Sequence, residues 1–170
     1  KEIKQYTKII DIQNKLDIAV VSTNSKNRAD LIRQLYQFNN PKFLILEKFL
    51  FQKYSEYHYF NKFFKSKKVK VYVNQWMSGE FNFLKEYINT NKNLKMRVYG
   101  SNWGLCCNSV HYIDFFKSLL KQKNLQTTHH KINNKIFRSK RNGYFELFGK
   151  IFITNKNGSN LELDCRRNKN

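Results

Sequence analysis

The sequence predicts an α/β fold, a partial Rossmann-type parallel sheet followed by part of an α+β domain with an antiparallel sheet. Three observations carry this. Short β-branched apolar runs alternate with helical periodicities from Asp17 to Val73. The alternation stops near residue 78. After Gly143 strand-like runs follow one another through a hairpin turn. Strand–helix alternation at short spacing means right-handed crossovers and parallel strands, whereas hairpins mean antiparallel ones.

Asp17–Thr23 is β-branched, apolar and ends in small polar residues, as a buried parallel strand does. Ser25–Phe38 places Ala29, Leu31, Ile32, Leu35 and Phe38 at helical spacing. Pro41 separates that helix from a second strand, Phe43–Leu46, which stops at Glu47-Lys48. A helix over Tyr54–Phe64 repeats Tyr57, Phe60 and Phe64 at three and four, and Val69–Val73 is a third strand running into Asn74. Beyond the boundary, the pattern predicts a helix over Phe81–Ile88, a strand over Leu94–Tyr99 and a helix over Gly104–Leu120. Strands follow over Lys135–Arg138, Gly143–Thr154 and Asn160–Cys165, the last two joined by the turn residues Asn155–Ser159. Lys1–Ile12 reads as a helix, and the first residue is Lys, so the sequence is expected to be an internal segment of a longer enzyme.

Composition excludes several classes. With 41% hydrophobic and 16% aromatic residues, the chain is too apolar for a disordered basic tail, and one Pro with six Gly excludes a collagen-like or linker chain. Apolar runs such as Phe43–Leu46 are far short of a membrane span, and no leader pattern opens the chain. A soluble, cytoplasmic protein without membrane contact is expected, and three cysteines suit a reducing compartment. The 32 Lys+Arg against 12 Asp+Glu give +20, but the bias lies in 25 Lys with only 7 Arg, beside 22 Asn. AT-rich coding yields that set without a functional cause. The densest cluster, Lys62, Lys65, Lys67, Lys68 and Lys70, sits at a helix end, where cations suit the dipole. No nucleic-acid motif occurs. A basic nucleic-acid-binding module therefore ranks second to a Lys-rich solvated surface.

Open parallel sheets bind ligands at the carboxyl ends of their strands. Here those ends carry Ser22-Thr23-Asn24, Glu47-Lys48 and Asn74-Gln75. A second constellation runs from Gly104 to Asp114: Cys107, Asn108 and His111 are spaced to share a helix face, and Asp114 follows one turn on. By itself His111 reads better as a locally hydrogen-bonded core histidine than as a catalytic one. Cys106 and Cys107 point different ways with no second ligand pair, so no metal site is expected.

Asp17–Thr23, Leu46-Glu47-Lys48 and Gly104 through His111 to Asp114 together resemble the glucose–fructose oxidoreductase/inositol dehydrogenase (Gfo/Idh/MocA) family across nearly the whole chain. The Asn-Trp-Gly-Leu before Cys-Asn-x-x-His is similar to members from bacterial surface-polysaccharide gene clusters. The resemblance implies NAD(P)-dependent oxidation or reduction of a sugar, sugar nucleotide or cyclitol, in polysaccharide biosynthesis. It implies that 1–78 is the C-terminal part of a dinucleotide-binding domain and 79–170 the first part of a substrate and oligomerisation domain, which pairs in homo-oligomers through its antiparallel sheet. Glu47-Lys48 stands where the family has Glu-Lys-Pro, with Phe49 for the Pro. Lys48 and His111 would be catalytic. Ser22, Thr23, Asn24, Glu47 and Lys48 would contact NAD or NADP, and Asn74, Cys107 and Asn108 the substrate. Cys107 replaces a frequent Asp, Arg28 a frequent His, and Asn74-Gln75-Trp76-Met77 a loop that often carries Arg. No G-x-G-x-x-G occurs, so the segment alone is expected to bind dinucleotide weakly or not at all, and an inactive truncated member is a further alternative.

Overall fold

The computed structural model describes residues 3–13, 15–88, 93–120, 124–139 and 142–168. The chain divides into two compact units, Lys1–Asn74 and Gln75–Asn170.

In the first unit, strands β1 (Ile18–Val21), β2 (Phe43–Leu46) and β3 (Lys70–Val73) form a parallel sheet in that order. The pairing is regular: Val21 faces Leu46, which faces Val73. Helices α1 (Arg28–Phe38) and α2 (Tyr54–Ser66) are the crossovers, and both lay their apolar stripe on one side of the sheet. Leu44 and Leu46 from the middle strand, Ile32 from α1 and Phe60 from α2 are buried almost completely. Each contributes about 1.5–3 kcal/mol of burial. Phe60 stacks on Phe51 at 4.6 Å, and Tyr36 meets Phe63 edge-on at 5.2 Å. Glu56 helps start α2 by accepting a bond from the Lys53 N–H at 3.3 Å. On the opposite sheet face, Val20, Ile45 and Tyr72 form one cross-strand row that stays exposed. Period-two alternation places them there.

The expected N-terminal helix does not form. Over the described part of Lys1–Ile12 only a 3-10 turn, Ile9–Asp11, appears. Ile9 packs against the core, but Ile3 and Ile10 are exposed, so a helix here would gain little burial.

The second unit opens with two short helices, α3 (Trp76–Glu80) and α4 (Leu84–Tyr87), where one helix over Phe81–Ile88 was expected. Its main sheet is mixed, with strand order β4 (Lys95–Ser101), β9 (Asn160–Arg166), β8 (Gly149–Asn155), β5 (Leu125–Ile132). β8–β9 is the expected hairpin, and β5–β8 is also antiparallel. β4 and β9 run parallel, so the expected antiparallel sheet also carries one parallel pair. The reason is topological: the long helix α5 (Leu105–Leu119) follows β4 and lies on the same sheet face. β5 was not foreseen. The expected strand over Gly143–Thr154 is broken into β7 (Phe145–Glu146), paired with β6 (Phe137–Arg138), and β8. The core joins Leu105 and Phe116 of α5 to Leu161, Leu163 and Cys165 of β9 and Ile153 of β8. On the other face Asp164 is buried beneath Lys150, 3.0 Å away, with Arg97 and Arg166 at 3.7 and 3.8 Å. Its carboxylate holds the Lys150 ammonium pKa above the ordinary value.

Candidate functional site

The first cluster lies at the carboxyl ends of the parallel strands. Because the three strands are in register, the residues just past them share one rim: Ser22 after β1, Glu47 after β2, Asn74 after β3. The Asn74 amide N–H donates to Glu47 Oε1 at 2.8 Å, joining two of the sequence-predicted residues directly. Lys48 is half-buried beside Glu47, and the Lys48–Phe49 peptide is cis. Ser22, Thr23 and Asn24 are exposed on the β1–α1 loop, where the Asn24 carbonyl oxygen Oδ1 accepts from the Lys26 N–H at 3.1 Å.

Beneath this rim is a group that sequence reading noted only as a departure. Arg28, in the first turn of α1, is 1% exposed. Its guanidinium donates to the backbone carbonyls of Thr23, Glu47 and Phe49, and to that of Leu50 at 3.2 Å. A planar fork of five N–H donors suits such a set of carbonyls, and an imidazole has too few donors for it.

The second cluster is built on α5. Gly104 precedes the helix in the left-handed conformation (φ 83°), which glycine adopts without penalty. Having no side chain, it cannot cap the helix, and Glu146 of β7 does so instead. Its Oε1 accepts from the Cys106 N–H at 2.5 Å and from the Leu147 N–H at 3.3 Å. A carboxylate there satisfies an orphan donor and opposes the positive end of the dipole. Burial, and then this carboxylate, push the Cys106 thiol up to about 11. The Asn108 amide N–H donates to the Trp103 carbonyl at 2.5 Å and so pins the turn before the helix. Trp103 in turn donates its indole N–H to the Asp164 carbonyl at 3.0 Å. His111, half-buried on α5, has the Trp76 ring against it, with centroids 5.9 Å apart. Cys107 is half-buried one turn before His111 and Asp114 half-buried one turn after.

Glu47 and Asn74 are thus in contact in the first unit, while Cys107, Asn108 and His111 share one helix in the second. Sequence reading missed Glu146 as the helix cap and Trp76 as the neighbour of His111, because both depend on long-range contacts. Gly104 was the one local signal, a helix start without a capping side chain. Among the described residues no group of three or more His, Cys, Asp or Glu could hold a metal ion, and no helix is long and apolar enough to cross a membrane.

No model of a known family and no curated protein matches the chain. Solved structures do. A dehydrogenase (MviM) from Clostridium difficile superposes on 99% of this chain and 55% of its own, with TM-score 0.74 and 12% identity. An NAD-binding protein from Listeria innocua covers 96% of this chain and 51% of its own, at TM-score 0.69 and 18% identity. An oxidoreductase from Bacillus cereus covers 94% and 48%, at 0.62 and 13%. The fold is theirs. It is the α/β class that the sequence predicts, and the chain spans about half the length of the structures it matches.

Proposed function

We propose that the chain is part of an NAD(P)-dependent oxidoreductase of the Gfo/Idh/MocA type, acting on a hydroxyl or carbonyl of a sugar, sugar nucleotide or cyclitol. In this reading the first unit is the C-terminal part of the dinucleotide-binding domain, and the second begins the substrate domain. The observation that carries it is the carboxyl rim: Glu47, Lys48 and Asn74 gathered at the strand ends of a parallel sheet whose fold matches dehydrogenases. The exposed Val20–Ile45–Tyr72 row supports it too, since a doubly wound sheet carries helices on both faces.

The rim residues fit the nicotinamide and ribose end of a dinucleotide, with carboxylate and amide groups for ribose hydroxyls and Ser22–Asn24 beside them. They offer no glycine-rich turn for the pyrophosphate. A nicotinamide held by the rim residues would supply the hydride acceptor for oxidation of the substrate's carbinol carbon. Lys48 presents its ammonium to the reacting oxygen and favours the charge that develops on it. His111 takes the hydroxyl proton, a role suited to imidazole near neutral pH, and Trp76 supports its ring. Asn108 and Cys107, one turn before His111, and Asn74 on the rim are the assigned substrate contacts. A role in bacterial surface-polysaccharide biosynthesis, in the cytoplasm and as a homo-oligomer paired through the mixed sheet, follows from the same resemblance.

The test is to express the protein from its complete reading frame and titrate NADH and NADPH by fluorescence. Binding of either supports the reading, and binding of neither overturns it. In a turnover assay with nucleotide sugars, Lys48→Ala and His111→Ala should each lower the rate about 10²–10⁴-fold without altering the circular dichroism spectrum.

A further inference from the structure

We propose that Arg28 is a positioning residue that sets the backbone on both sides of Lys48 and ties the Ser22–Asn24 loop to the same point. The proposal rests on the function assigned above, because it concerns how Lys48 and the cofactor loop are held.

The geometry is specific. Glu47 and Phe49 flank Lys48, and the carbonyls of both accept bonds from a single guanidinium nitrogen of Arg28. The same nitrogen reaches the Leu50 carbonyl at 3.2 Å, and the other terminal nitrogen donates to the Thr23 carbonyl. One side chain therefore fastens the loop after β1 to the loop after β2. Helix stability does not explain a cation here. Arg28 opens α1, where positive charge opposes the macrodipole, and at 1% exposure it has left water. What the site gains is a fixed path for the peptides around Lys48. Misplacement of a reacting group by about 1 Å can cost about 10²-fold in rate. Lysine offers three donors from one point and cannot reproduce the planar fork.

The test compares lysine acetylation rates, residue by residue, by mass spectrometry in the wild-type protein, Arg28→Met and Arg28→Lys. Lys42 and Lys62 of the same unit serve as internal standards. If Arg28 positions Lys48, Arg28→Met raises the Lys48 rate about ten-fold through local opening of residues 47–50, while the standards stay within about two-fold. Arg28→Lys gives an intermediate rate, and alone decides the question if the Met variant does not fold. An unchanged Lys48 rate overturns the proposal. So does a parallel rise at all three lysines, which is the signature of general destabilisation. NADH and NADPH titration of the same proteins separates the two claims. A wild type that binds neither removes the proposed function and leaves the labelling to decide the clamp. A wild type that binds one of them, with an Arg28→Lys variant that binds it equally well, overturns the link from Arg28 to the cofactor loop.

Discussion

Replacing Glu146 by Ala removes the acceptor at the start of α5. Glu146 is 8% exposed, and its Oε1 serves the Cys106 N–H at 2.5 Å and the Leu147 N–H at 3.3 Å. Loss of a helix cap costs about 1 kcal/mol, loss of negative charge at a helix N-terminus about 0.3–1, and a buried donor left bare about 1–3. These overlap, so the expected loss is about 2 kcal/mol, or about 4–8 °C in Tm for a chain of this size. Both tryptophans, Trp76 and Trp103, lie in the second unit, so urea unfolding followed by tryptophan fluorescence reports that unit. A second readout is chemical. Burial and then the Glu146 carboxylate hold the Cys106 thiol up at about 11, so in Glu146→Ala it alkylates faster at pH 9. Burial remains in the variant, so the gain is partial. An unfolding midpoint and a Cys106 alkylation rate both equal to wild type would refute the capping argument.

Tyr36→Phe deletes the hydroxyl that donates to the Pro41 carbonyl at 2.9 Å and should cost about 1 kcal/mol in urea melts at pH 7. Burial raises the Tyr36 phenol from 10.0 to about 12 in the fold, so its contribution is complete below pH 10 and lost as pH rises towards 12. The wild-type advantage over Tyr36→Phe should shrink across that window. Gly149 has φ 139°, and an added Cβ would lie 2.2 Å from the Lys131 carbonyl oxygen. Gly149→Ala must therefore part β5 from β8, seen as faster amide exchange along both strands. Leu44→Ala, at a fully buried position of the middle parallel strand, should lower stability by about 2–5 kcal/mol in urea unfolding followed by circular dichroism.

The first unit was legible because its signals are local. Phe43–Leu46 was read to the residue, and α2 begins at Tyr54 as its aromatic periodicity indicates. What escaped had no local signal. In β5 the residues from Gln126 to Lys131 are all exposed and polar, so no alternation marks the strand, and it forms because β8 offers an edge. The helix expected over Lys1–Ile12 gives way to a short turn that lays Ile9 on the core while Ile3 and Ile10 stay exposed. Of the site, the three strand ends and the Cys107–His111 spacing follow from counting along the chain. The cap from Glu146, forty residues from Cys106, and the convergence of four carbonyls on Arg28 exist only once the chain has closed on itself.

The parallel pairing of β4 with β9 also sets the order in which the molecule can be built. In the first unit the ends of β2 and β3 lie 27 residues apart, as with Glu47 and Asn74. The second unit joins Leu94 to Ser159 across 65 residues, and β9 supplies the centre of its core. Loop closure of that length comes late. During synthesis from the N-terminus, Leu44 and Phe60 can be sheltered while Leu105 and Phe116 still wait for Leu161 and Leu163. The core around Leu44 and Phe60 can therefore close while that around Leu105 and Phe116 stays open until β9 has been made.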